Sequence, residues 1–225
     1  MSTLVQIVII SSTWALLLIL YTLDKFITKH RFIKSPVVVD VDAASAAGAV
    51  PAVGAVPDSR PGSFIAGAGV LFTFVINLVA VGVVFGYALS ASFASAARFL
   101  WLDLPLWVNI TGGVLFVLYS LWGMVVLFYN PNYTPLYKPL RGRRYIIATE
   151  GPYRWVRHPR YAGAALANLI FFLFTGVWLS LLGLLGWAAI YAQSKAEEQF
   201  LLALAPEAYG AYCRRTGMFF PRLRG

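Results

Sequence analysis

Tyr161-Ala-Gly-Ala-Ala-Leu-Ala-Asn-Leu-Ile170-Phe-Phe-Leu-Phe-Thr-Gly-Val-Trp-Leu-Ser180-Leu-Leu-Gly-Leu-Leu-Gly-Trp-Ala-Ala-Ile190-Tyr-Ala-Gln193 is a run of 33 residues without a charge. As one straight helix it would reach roughly 50 Å, against a hydrocarbon core of about 30 Å. A break near Thr175-Gly176 divides it into two shorter spans, the fourth and fifth of the chain. The basic residues support that division. Four Lys and Arg lie in 25–34, one at 60, one at 98, seven in 138–160 and five in 195–224. With five spans, all but Arg98 fall on one side. With four, the basic stretch after Gln193 would lie across the membrane from the basic loop before Tyr161. Lys and Arg concentrate in cytoplasmic loops, so the N-terminus is predicted outside and the C-terminus inside.

Outward from this run, three further spans are predicted at Leu4–Leu23, Phe64–Leu89 and Leu106–Tyr129, each near the ~20 residues that cross hydrocarbon. Met1–Gln6 carries no Lys or Arg, so the first span reads as retained rather than cleaved. Residues 35–62, rich in Ala, Val, Pro and Gly, read as a flexible low-complexity loop. Ser90–Leu104 reads as a short interfacial connection. The fifth helix should run past the bilayer to Ala205, with Pro206 opening a new short helix that carries Tyr209 and Tyr212. The expected fold class is an all-α integral membrane protein: five transmembrane helices, a hairpin of spans four and five, and a cytoplasmic helical C-terminal segment. Residues 1–129 form the first three spans and 130–225 the chemical part.

Composition narrows the function. The chain is 60% hydrophobic and 12% charged, about half the charge of an ordinary globular domain. Its net charge of +9 sits beside apolar spans, which points to anionic headgroups and topology and not to nucleic acid. One cysteine, Cys213, excludes an internal disulfide and reads as a small buried or interfacial residue. Two histidines and one cysteine argue against a zinc site. No nucleophile elbow, His-Glu-x-x-His or phosphate-binding glycine loop occurs, and Gly67-Ala-Gly69 lies inside a span.

The polar chemistry gathers in two places. Gly151-Pro-Tyr-Arg-Trp-Val-Arg-His-Pro-Arg-Tyr-Ala-Gly163 precedes the fourth span, and its two prolines favour a shaped loop over a helix. Glu197-Glu198 follows the fifth span. Because spans four and five form a hairpin, their cytoplasmic ends should be neighbours, which brings a cationic, aromatic loop against two carboxylates. Singly, each arginine could be topogenic, His158 a structural histidine and the glutamates a solvated helix end. Their co-location makes a site.

These residues, with Tyr209-x-x-Tyr212, resemble the isoprenylcysteine carboxyl methyltransferase family, grouped with the membrane phospholipid methyltransferases. The resemblance covers about the last 90 residues. It implies an integral membrane enzyme using S-adenosylmethionine, in a cytoplasmic pocket closed by the C-terminal segment, with a lipophilic or lipidated acceptor entering from the bilayer. It implies cofactor contacts at Tyr145, Ile146, Ile147, Ala148, Tyr153, His158, Pro159, Arg160, Tyr161 and Glu197. Arg157, His158 and Glu198 are the catalytic candidates. The prenylcysteine enzymes place an arginine four residues before the first glutamate, where it can grip the substrate carboxylate. Here Gln193 stands there and cannot supply the charged fork. The acceptor stays open between a prenylcysteine-like carboxylate, an aminophospholipid and a small thiol. Two readings of other classes stand beside it: an NADPH-dependent membrane reductase and a non-catalytic lipid-binding membrane protein.

Overall fold

The computed structural model describes residues 1–24, 37–40, 61–130 and 144–222. They are mostly helical. The helices are α1 (Thr3–Leu23), α2 (Pro61–Leu89), α3 (Ala91–Ala96), α4 (Leu106–Phe128), α5 (Pro159–Thr175), α6 (Trp187–Leu204) and α7 (Pro206–Arg215), with 3-10 turns at Arg98–Leu100, Gly151–Arg154 and Trp178–Gly186. Two short strands, β1 (Val37–Asp40) and β2 (Arg144–Ile147), pair antiparallel with Val38 opposite Ile146. The ribbon corrects the reading of 35–62 as loop throughout: Val37-Val-Val39 is a β-branched run suited to a pleated strand, and α2 already begins at Pro61. The rest of that low-complexity stretch lies outside the described residues.

Among the described residues, three helices are long and apolar enough to cross a membrane: Thr3–Leu23, Gly67–Leu89 and Leu106–Phe128, with mean hydropathies of 2.2, 2.5 and 2.0. Their outer faces expose Leu4, Val8, Leu18, Leu71, Phe74, Val114 and Leu118. Helices apolar on every side need hydrocarbon, not water, around them. This is a membrane protein, and these helices match the first three expected spans closely. The run from Tyr161 to Gln193 is more irregular than two plain helices. After α5 and Gly176 it winds as a nine-residue 3-10 stretch before α6.

The chain folds as two compact units. The first comprises Met1–Leu23, Gly69–Met124 and Gly163–Ala188. Its core packs Ile10, Val84, Phe116, Phe171, Phe174 and Val177, with the Phe116 and Phe174 rings stacked at 5.3 Å. The last carbonyls of a helix have no partner within it. In α5 two of them are met from other helices: Gln6 Nε2 donates to Phe174 O at 3.0 Å and Asn109 Nδ2 to Leu173 O at 3.1 Å. Gly176, at φ +82°, then turns the chain in the left-handed region that glycine tolerates. The 3-10 stretch folds back along α5. Ser180 Oγ donates to Asn168 O at 3.2 Å, and Gly183 leaves the room that the Asn168 side chain fills. The break expected near Thr175-Gly176 is therefore where the chain turns.

Close helix approach in this unit depends on Gly112. A Cβ there would stand 2.3 Å from the Phe174 backbone nitrogen, so α4 and α5 would have to part. Gly112→Ala should cost about 1–3 kcal/mol by overpacking, read as a lowered thermal midpoint in detergent. At Gly123 a Cβ meets nothing within 4 Å. Gly123→Ala should lose nothing and gain up to about 1 kcal/mol of helix propensity.

Candidate active site

The second unit comprises Asp24–Ala68, Val125–Ala162 and Ala189–Gly225, and it holds the polar constellation. The prolines organise the loop. Pro152 sits in the first turn of the 3-10 helix Gly151–Arg154, entered through Gly151 at φ +56°. A Cβ on Gly151 would strike the Tyr129 ring at 2.6 Å. Pro159 opens α5, where its missing N–H costs nothing. Between them the 3-10 turn closes at Trp155, still in the right-handed helical region, and Val156 then forms a parallel bridge with Gly217. Arg157 N donates to Gly217 O at 2.9 Å and His158 N to Met218 O at 3.0 Å. With no N–H at Pro159, that pairing stops there.

On α6 the inward stripe is Ile190, Gln193, Ser194, Glu198 and Leu204, a helical spacing that delivers Glu198 to the loop. Arg157 Nε donates to Glu198 Oε1 at 2.6 Å, with both side chains nearly buried. Arg157 Nη1 donates to Cys213 O at 3.2 Å and also to Thr216 O. One guanidinium thus joins α6, the end of α7 and the segment beyond it. His158 lies between the two carboxylates, Nδ1 at 3.5 Å from Glu197 Oε2 and Nε2 at 3.4 Å from Glu198 Oε1. These are ion-pair distances without hydrogen-bond alignment at Nε2, which is buried with no hydrogen-bond partner. Tyr161 donates its hydroxyl to Glu197 Oε1 at 2.5 Å. The rings of Tyr161 and Phe219 lie 5.7 and 6.0 Å from the imidazole.

Pro206 starts α7 and turns Tyr209 and Tyr212 inward against Ile147 of β2. Tyr212 OH donates to Tyr153 O at 2.6 Å, and Asn130 Nδ2 donates to Tyr153 OH at 3.1 Å. The structure therefore gathers Arg157, His158, Pro159, Tyr161, Glu197 and Glu198. Ile147 and Tyr153 pack against α7 at its inner face. Gln193 is 8% exposed, one helical turn before Glu197. Arg160 is exposed, Ile146 and Ala148 are half-buried, and Tyr145 is placed only by its backbone, opposite Val39. Sequence reasoning missed Thr216, Met218, Phe219 and Asn130. Of that neighbourhood only Gly217 carried a signal: a Cβ there would overlap Phe220 O.

The electrostatics follow from this packing. Burial works against the Glu198 charge, but His158 and Arg157 more than offset it and hold the carboxyl at about 2. Burial lowers His158, yet Glu197 and Glu198 outweigh it and the imidazole ends above its ordinary value. Burial pushes the Cys213 thiol up, which suits a small packed residue.

These shifts make the docking of the last segment pH-dependent. A lowered Glu198 contributes fully above about pH 5 and loses its contribution as pH falls toward 2. A raised His158 contributes fully below about pH 6.5 and loses its contribution as pH climbs through the raised value. Amide protection over 213–218 should therefore peak between about pH 5 and 6.5 and fall on both sides. Hydrogen exchange corrected for intrinsic rates measures it, and a flat profile contradicts the assignment.

No model of a known protein family matches the chain, and no curated protein matches it.

Proposed function

We propose that this chain is an S-adenosylmethionine-dependent methyltransferase, similar to the isoprenylcysteine carboxyl methyltransferases, acting on a lipophilic acceptor from the bilayer. In this reading it has five spans, spans four and five form a hairpin, the N-terminus is outside, and the site is cytoplasmic. The observation that carries it is the meeting of Glu197-Glu198 with Arg157-His158, within 2.6–3.5 Å.

The residues present suit the cofactor. The buried His158 Nε2 lacks a hydrogen-bond partner, and the Glu197 side chain keeps 21% exposure, so donor and acceptor capacity are both left for a polar ligand. Glu197 suits ribose hydroxyls or an ammonium; Tyr161 and Phe219 offer ring faces; Tyr153, Pro159, Arg160 and the 145–148 stretch complete the set the resemblance implies. The chemistry S-adenosylmethionine supplies when bound is a sulfonium methyl open to in-line displacement. The chain's own part is to align the acceptor and exclude water.

Glu198 at about 2 is a poor proton acceptor, and the Arg157 guanidinium is already engaged by Glu198 Oε1, Cys213 O and Thr216 O. An acceptor already anionic, such as a lipid-borne carboxylate, asks least of this site. Aminophospholipid or thiol acceptors must first lose a proton. A carboxylate would have to be held here without a cationic grip at Gln193, which offers an uncharged amide in that place. Calorimetric titration of the detergent-purified protein with S-adenosylhomocysteine tests the reading. Saturable binding supports it, and no binding by the wild type overturns it.

A further inference from the structure

The 213–217 backbone lies against Val156 and Arg157 through the bonds already described. That contact brings together side chains which the site does not use. Arg154 and Trp155 immediately precede Val156, and Arg214 and Arg215 lie between the two carbonyls that Arg157 holds. All four are exposed, Trp155 by 59%. Phe220, 78% exposed, follows the turn at Gly217, and Arg222 folds back to donate to Arg214 O at 2.6 Å. Glu207 is an exposed acid of this unit, whereas Glu150 and Glu197 are half-buried and Asp24 and Glu198 are buried. The result is a cationic rim with two aromatic side chains standing out of it, a few residues before α5 turns apolar.

We propose that Arg154, Trp155, Arg214, Arg215, Phe220 and Arg222 form a docking face for anionic phospholipid headgroups, and that docking holds the 216–222 segment against 156–158. Charge complementarity selects the occupant: scattered guanidinium groups match a field of phosphates, and Trp and Phe beside them suit the boundary between headgroup and acyl chain. The rim exists only while the segment is in place, because its halves come from either side of the Val156–Gly217 pairing. A ligand that engages both halves must favour the docked arrangement. This inference goes beyond the methyltransferase reading and does not depend on it.

The test uses the full chain in nanodiscs of phosphatidylcholine alone or with phosphatidylserine, followed by hydrogen exchange of 216–222. Exchange should slow about tenfold in the anionic discs, and added salt should shrink the difference by screening. Arg154→Gln with Arg214→Gln and Arg215→Gln should abolish the difference and leave the rate in neutral lipid unchanged. Equal exchange in both lipids overturns the proposal. So does protection that follows the number of protein copies per disc and not lipid charge.

Discussion

Replacing Arg157 by methionine is expected to release the segment beyond α7 while the apolar helices stay folded. Three attachments depend on that guanidinium: Glu198 Oε1, Cys213 O and Thr216 O. Its removal leaves the nearly buried Glu198 carboxylate with only His158, 3.4 Å away, as a charged partner, and breaking one partner of a buried pair costs about 3–5 kcal/mol. Opening of 213–218 should become at least about a hundredfold more frequent, read as hydrogen exchange or proteolysis. Arg157→Lys should not restore it, because one ammonium on a flexible stem cannot serve three acceptors in a fork. Pairing Arg157→Met with Glu198→Met should do less damage than the two changes sum to, since no unpaired charge then remains. Unchanged exchange in Arg157→Met would show that the arginine holds nothing.

The second large effect is on ligand binding. Glu197→Ala should weaken S-adenosylhomocysteine binding by at least about thirtyfold, the consequence of losing a charge-bearing hydrogen-bond partner. Glu197 touches Tyr161 and His158 but not Arg157, so the 213–218 amides should lose only the part of their protection that comes through His158 and keep the part that Arg157 supplies. The two substitutions thus separate what binds from what holds the site closed. Glu197→Gln keeps an acceptor for the Tyr161 hydroxyl and loses the charge, and it should fall between Ala and wild type. Wild-type affinity in Glu197→Ala would remove the carboxylate from the binding site.

Much of this architecture is legible in residue order because its causes are local. Length and unbroken apolarity fix α1, α2 and α4. Gly176 marks the turn after α5, and Pro159 and Pro206 open helices where their missing donors do no harm. The stripe Ile190–Ser194–Glu198 turns an acid inward by helical spacing alone. The features that were not legible depend on distant partners. Val37–Asp40 becomes a strand only because Arg144–Ile147 pairs with it. The 3-10 winding of Trp178–Gly186 answers packing at Gly183 and Gly186 against Asn168 and Thr73. Arg157 carried a charge that suggested chemistry. Only its partners reveal a guanidinium occupied in holding three chain segments, and Phe219 gave no hint that it would face an imidazole.

The bridge between Val156 and Gly217 also constrains the order of events during synthesis. Val156 and Gly217 stand 61 positions apart, so Arg157 and His158 leave the ribosome well before the stretch that pairs with them exists. Until that stretch emerges, the nascent protein holds a cationic loop with no cover. Docking of that stretch therefore follows the synthesis of the helices that precede it.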